Sequence, residues 1–352
     1  MIRAAQTSAR TAPGVVMRFG LAFIVVTAFV MAASASRAAT LIPVVPVSGS
    51  TQTTVFGIND SNMIAGGWFD SGGVEHGFIG TLLGSYATFD YTGAGVSGTE
   101  ARGIWNDGSL TGWAPSTDTE SGYEFFRRPN GTLVTITKGS GAGAVTLDGI
   151  AQGMTAGEKF VGNTILPPSY RDFAYIGKSG KWQENIALPA QFKIPEARGI
   201  NKQGVIVGTF TANPDTDPVN HGFILSGGVA TQVDYPNTAC TNNVLESIND
   251  SGIATGQCTL RGKQVGYIFN TADNTFTEIR IPGSDFSQAW GINSAGLIAV
   301  NGQTGSFIYC PEPRTQCPSS GIAVPDGPSL HMPAGYFARY AVARATPDSP
   351  TK

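Results

Sequence analysis

The chain has 352 residues, with 22 Lys+Arg against 25 Asp+Glu, only 13% charged residues and 46 glycines. No basic surplus is present to cover a phosphate backbone, which argues against a nucleic-acid partner. Low charge with abundant glycine predicts many short strands joined by tight turns. At the N-terminus, residues 1–18 carry Arg3, Arg10 and Arg18 and no acid. Phe19 to Ala33 is apolar, and Ser34-Ala35-Ser36-Arg37-Ala38-Ala39 is a small-residue exit. This order predicts a secretory signal peptide over 1–39, with Met17 as a second possible start; a retained anchor would want a longer apolar run. Four of the 22 basic residues leave with it, so 18 face 25 acids and the net charge becomes −7.

Beyond the leader, one short pattern recurs: Phe56-Gly57-Ile58, Arg102-Gly103-Ile104, Asp148-Gly149-Ile150, Arg198-Gly199-Ile200, Glu246-Ser247-Ile248 and Trp290-Gly291-Ile292. The steps between markers are 46, 46, 50, 48 and 44 residues, a period that belongs to propellers, solenoids or arrays. Asn- and Gly-rich turns such as Asn249-Asp250-Ser251-Gly252 follow the marker and suit hairpins. A second strand then ends nine residues after the marker, at Gly66, Gly112, Gly208, Gly256 and Val300. In the third unit the match is either Thr155-Ala156-Gly157 or Phe160-Val161-Gly162. Third strands carry His76-Gly77-Phe78-Ile79, His221-Gly222-Phe223-Ile224 and weaker relatives, and the fourth are short and rich in Thr or aromatics, as in Tyr86–Phe89. Four antiparallel strands per repeat are the dimensions of a propeller blade. The expected fold is all-β: a six-bladed β-propeller of four-stranded antiparallel blades over 40–310, with blades starting near 52, 98, 144, 194, 243 and 286. Unit six lacks a fourth strand, which Leu41–Val45 would supply from the N-terminus to close the ring, with Gly321–Val324 as competitor. Residues 311–352 are expected to form a partly disordered, loosely held tail.

Gly57-Ile58-Asn59-Asp60, Ile64-Ala65-Gly66 and His76-Gly77-Phe78-Ile79, with Gly199-Ile200-Asn201, Ile206-Val207-Gly208 and His221-Gly222-Phe223-Ile224, resemble the HAF-repeat family of extracellular bacterial proteins. The resemblance covers roughly residues 41–310, with units two, three and six degenerate. It implies a bacterial protein secreted to the periplasm or outside the cell, tandem repeats and a propeller. It brings no catalytic residues.

Four cysteines in an oxidising compartment predict two disulfides, Cys240–Cys258 and Cys310–Cys317. Zinc spacing, a Gly-x-Ser-x-Gly elbow, a phosphate loop and an EF-hand loop are all absent, so neither cofactor nor metal is expected. His76 and His221 occupy equivalent positions in units one and four, too far apart to share a metal, and read as strand-bridging hydrogen-bonders; His331 has no visible partner. The residues before the markers, Phe56, Arg102, Asp148, Arg198, Glu246 and Trp290, form the candidate site. On innermost strands they would ring the axis, either to contact a polar ligand or to neutralise one another between blades. Loops between second and third strands vary in length and carry Asp70, Asp118, Glu120, Arg171, Asp215, Asp217 and Arg261, with Trp68 and Trp113 at their bases. The expected function is ligand or partner binding at the cell surface without catalysis, with carbohydrate or another surface protein as ligand classes. The alternative is a secreted polysaccharide lyase or hydrolase in which Asp148, Glu246 and an arginine meet at the channel mouth.

Overall fold

A computed structural model describes residues 38–166, 171–311, 317, 321–325, 327–333, 336–337 and 339–341. These form an all-β, propeller-like arrangement of antiparallel sheets, with one short 3-10 turn, Gly141–Gly143, and no α-helix among the described residues. Hydrogen bonding does not divide the strands into six separate four-stranded sheets. It makes five sheets, of which only that of unit one (Gln52–Ile58, Met63–Phe69, Glu75–Thr81, Tyr86–Phe89) has four strands. Units two and three share a ten-stranded sheet: Asp148 pairs with Tyr123, and Thr137, ahead of unit three, pairs in parallel with Lys181. The Asp148 carboxylate reinforces this junction. It accepts hydrogen bonds from the backbone N–H groups of Glu120 (2.8 Å), Ser121 (2.8 Å) and Gly122 (2.9 Å), pinning a unit-two loop against the unit-three strand.

The repeat persists in the register. In the first hairpin of every unit a β-bulge follows an aligned pair: Val55 with Gly66, Ala101 with Gly112, Ala151 with Gly162, Ala197 with Gly208, Leu245 with Gly256 and Ala289 with Val300. The bulge inserts Phe56, Arg198 or Glu246 alone, or Arg102-Gly103, Gln152-Gly153 or Trp290-Gly291, and turns that residue out of the regular pleat. The glycine of the marker has a steric purpose. A Cβ on Gly57 would lie 2.6 Å from Arg102 O, on Gly153 2.7 Å from Arg198 O, and on Gly291 2.7 Å from Phe56 O. Innermost strands of successive units therefore press backbone against backbone.

A second device joins neighbours. The Asn59, Asn201, Asn249 and Asn293 side-chain carbonyls accept from their own turns, at Met63, Val205, Ile253 and Leu297 N. Their amides donate to the next unit, at Trp105 O (2.9 Å), Asn249 O (3.1 Å), Asn293 O (3.2 Å) and Asn59 O (3.1 Å). The last of these bonds runs from unit six to unit one. Asn is chosen because one side chain can accept inward and donate outward at once.

The strand Ala38–Pro43 pairs with Gly305–Cys310 and supplies what unit six lacks. Of the leader expected over 1–39, only Ala38 and Ala39 fall among the described residues. They pair with Pro325 and Val324, and Ala39 is buried. Ile322–Pro325 pairs with Ala38–Pro43 as an outer strand, Ser329–His331 with Thr275–Glu278, and Arg339–Ala341 with Val229–Gln232. The tail thus runs back along the outer edges of units six, five and four, and residues 342–352 lie outside the described residues. His331, expected to be unpartnered, pairs with Thr275. Both expected disulfides are formed, Cys240–Cys258 and Cys310–Cys317.

A buried acid sits between units two and three. Glu124, on the third strand of unit two, accepts from Tyr175 Oη on the third strand of unit three. Burial raises its pKa to about 8, against 4.5 for an ordinary Glu, while the Tyr175 and Thr164 hydrogen bonds pull the other way. Between those values the folded chain holds a proton that the unfolded chain has released. The folded state then binds more protons, so its stability falls as pH rises from about 4.5 to about 8. Each pKa unit is worth about 1.4 kcal/mol. The melting temperature should therefore drop between pH 5 and pH 8, and Glu124→Gln should make that slope shallower. An unchanged slope in the glutamine variant would refute the assignment.

Candidate functional site

The bulged residues of the six units line one cavity. Phe56, Arg102, Gln152, Arg198, Glu246 and Trp290, one from each unit, line a cavity of about 80 Å³ together with the Asn turns. The third member is Gln152, not Asp148. Gly153, whose Cβ would strike Arg198 O, is the true marker of unit three, and Asp148 lies four residues earlier, holding the Glu120–Gly122 loop. A sequence signal was available: Gly162 lies nine residues after Gly153, the spacing of the other five units. Asp148 and Glu246 therefore do not converge, and the acid–base pair required by the catalytic alternative is not assembled.

Strand periodicity builds a second tier. Residues two apart share a face, so Glu100 lies beside Arg102 and Glu196 beside Arg198. Arg102 Nε pairs with Glu100 Oε1. Arg198 Nε donates to Glu196 Oε2 (3.0 Å), and its Nη1 reaches Glu246 Oε2 across the unit boundary (3.3 Å). Gln257 Nε2 donates to Glu246 Oε1 (2.8 Å). Burial alone would lower the Arg198 pKa, but Glu196 and Glu246 outweigh it and hold the guanidinium charged above its ordinary value. Arg102 stacks its cation over Phe56 (4.5 Å to the ring centroid) and Trp290 (5.1 Å), which meet each other edge to face. Nearby, burial and the Glu100 charge push the Glu75 carboxyl up to about 7.

Arg102, Arg198, Glu246 and Trp290 also line a larger pocket of about 470 Å³, completed by Asn220, Asn242, Gln257, Gln264 and Gln288. Sequence reasoning missed these five amides. Gln288 belongs to the same tier as Glu100 and Glu196, and Gln257 follows the second-strand Gly256, so period two would have found both. Asn220 and Gln264 stand at equivalent positions on the third strands of units four and five, two residues before Gly222 and Gly266, and Asn242 falls in a bulge of the first strand of unit five. The loop residues expected to carry function sit elsewhere. Asp118, Glu120, Asp215 and Arg261 are exposed and none lines this pocket, and the side chains of Arg171 and Asp217 lie outside the described residues. Trp113 Nε1 ties down its own loop at Ser121 O (2.6 Å). Trp68 stacks on His76, whose Nδ1 is 2.7 Å from Asp90. His221 makes the same link to Asp234 (2.8 Å), so both histidines join the third strand to the residue that follows the fourth.

No family model matches the sequence, and no curated protein does either. Among solved structures, the WD40 β-propeller domain of Doa1 is similar at TM-score 0.41 and 14% identity, over 79% of this chain and 98% of that one. AofleA from Arthrobotrys oligospora is similar at TM-score 0.38 and 11% identity, over 87% and 92%. A prolyl endopeptidase is similar at TM-score 0.45 and 12% identity over 73% of this chain, which spans only 40% of that protein's length. No function is carried over from proteins so distant.

Proposed function

We propose that this chain is an exported, non-enzymatic binding protein of the HAF-repeat type, built as a six-bladed propeller, and that a carbohydrate docks at the mouth of its axial channel. Six equivalent bulged hairpins support the blade count, two of the blades being joined through Asp148. Export is supported by the cationic, apolar and small-residue order of residues 1–39 and by two disulfides.

The observation that carries the ligand class is the convergence of Asn220, Asn242, Gln257, Gln264 and Gln288 with Trp290 in one pocket. Planar amides offer a donor and an acceptor side by side, which suits neighbouring hydroxyls on a sugar ring. An indole supplies the flat apolar surface on which the C–H face of the ring packs. Arg198 and Glu246, already paired, present a fixed polar wall without excess charge. The test is a glycan array followed by calorimetry on the hits, with the Gln264→Ala/Gln288→Ala variant in parallel. Binding should weaken at least about tenfold, as expected for two lost hydrogen bonds of about 1 kcal/mol each, while the melting temperature holds. Retention of no glycan, or undiminished binding by the double variant, would defeat the reading.

A further inference from the structure

Seven of the buried side-chain atoms without a protein hydrogen-bond partner belong to residues around the axis: Glu100 Oε1, Arg102 Nε and Nη1, Gln152 Nε2, Thr155 Oγ1, Gln257 Oε1 and Trp290 Nε1. Glu100 and Arg102 answer each other through their ion pair. What remains at the axial cavity is dominated by donors. Arg102 Nη1, Gln152 Nε2 and Trp290 Nε1 can only donate, and their residues line the same cavity of about 80 Å³. Apart from Thr155 Oγ1 and Gln257 Oε1, several neighbouring acceptors are already taken. Thr111 Oγ1 donates to Gln152 O, Thr255 Oγ1 donates to Trp290 O, and both Glu246 oxygens are held by Arg198 and Gln257.

Buried polar groups left over in this way call for a bound water or ion. A single water accepts two hydrogen bonds, one fewer than these three donors offer. A spherical anion accepts from every side, and the Arg102 cation beside it offsets its charge. The cavity has room for an ion of halide size with water beside it.

We propose that the axial cavity is a chloride site, in which Arg102 Nη1, Gln152 Nε2 and Trp290 Nε1 hold the anion and so tie together units two, three and six. The carboxylates that line the cavity are engaged elsewhere: Glu246 by Arg198, Asp250 by Lys202, and Asp60 by Asn106 and Ser294, while the nearby Glu100 pairs with Arg102. Arg102 and Trp290 line both this cavity and the larger pocket, but anion binding is read with no glycan present, so the site stands or falls without carbohydrate recognition.

Two measurements test the site on the exported protein. Crystals soaked in bromide should show an anomalous peak in the axial cavity, within hydrogen-bond distance of the three donors. Raising chloride from zero to 0.3 M at constant ionic strength, with gluconate as the replaced anion, should raise the melting temperature by about 2 °C or more. Trp290→Phe keeps the ring and removes the N–H, and Gln152→Leu keeps the bulk and removes the amide. Both should fold and lose the chloride dependence. Absence of the anomalous peak, equal melting in chloride and gluconate, or a chloride effect that survives both variants would each overturn the proposal.

Discussion

Gly208→Val is expected to destabilise the protein by about 4 kcal/mol or more, enough to leave little soluble material. Gly208 pairs with Phe223 across the second and third strands of unit four, and Phe223 lays its ring over the glycine. A Cβ there would overlap Glu196 O on one side and sit 2.9 Å from the ring on the other. The same pairing recurs as Gly66 with Phe78, Gly112 with Phe125, Gly162 with Tyr175 and Gly256 with Tyr267, and all five rings are fully buried. Unit six breaks the pattern with Val300 opposite Phe307, and there the ring is only partly buried. Val300→Ala should therefore cost only about 2 kcal/mol, an ordinary loss of buried methyls. Chemical denaturation of the two variants decides the matter. Similar losses in both would show that the glycine is not a socket for the aromatic ring.

This pairing explains why the repeat could be read from sequence. The fixed interval of nine residues from marker to second-strand glycine is the length of a bulged hairpin. The aromatic further on is the ring that the glycine admits. Both signals are local, so period, hairpin and strand order were legible. Unit three was misaligned because Asp148-Gly149-Ile150 imitates the marker, whereas the functional triplet is Gln152-Gly153-Met154. Word resemblance competed with interval, and the interval reflects backbone geometry. The site was half legible. Arg102, Arg198, Glu246 and Trp290 follow from the repeat. Asn220 lies on the third strand of unit four, and Asn242 reaches the pocket from a bulge in the first strand of unit five that no periodicity records.

The C-terminal strands were invisible for a different reason. They are three or four residues long, too short for alternation to register, and their partners lie far away in sequence, as in Thr275 with His331 and Val229 with Ala341. What they contribute can be measured by deleting residues 321–352, which leaves Cys317 and both disulfides in place. The deletion removes Val324 and Phe337, both buried, with Leu330 and Met332 packed on the core of units four and five. Each such side chain is worth about 1.5–3 kcal/mol of burial, and the ordering of a short segment at about 1–2 kcal/mol per residue offsets much of it. The net loss should be a few kcal/mol, seen as a melting temperature lower by about 5–10 °C. The larger consequence is topological. Ala38–Leu41, Thr275–Thr277 and Val229–Thr231 become free edges, and unpaired edges recruit one another. The shortened protein should self-associate in light scattering, and hydrogen exchange should rise in the outer strands of units four to six while the inner strands stay protected. A monomer with unchanged melting would mean that the tail only rests on the sheets; a uniform rise in exchange would mean that it supports the whole ring instead of three of its edges.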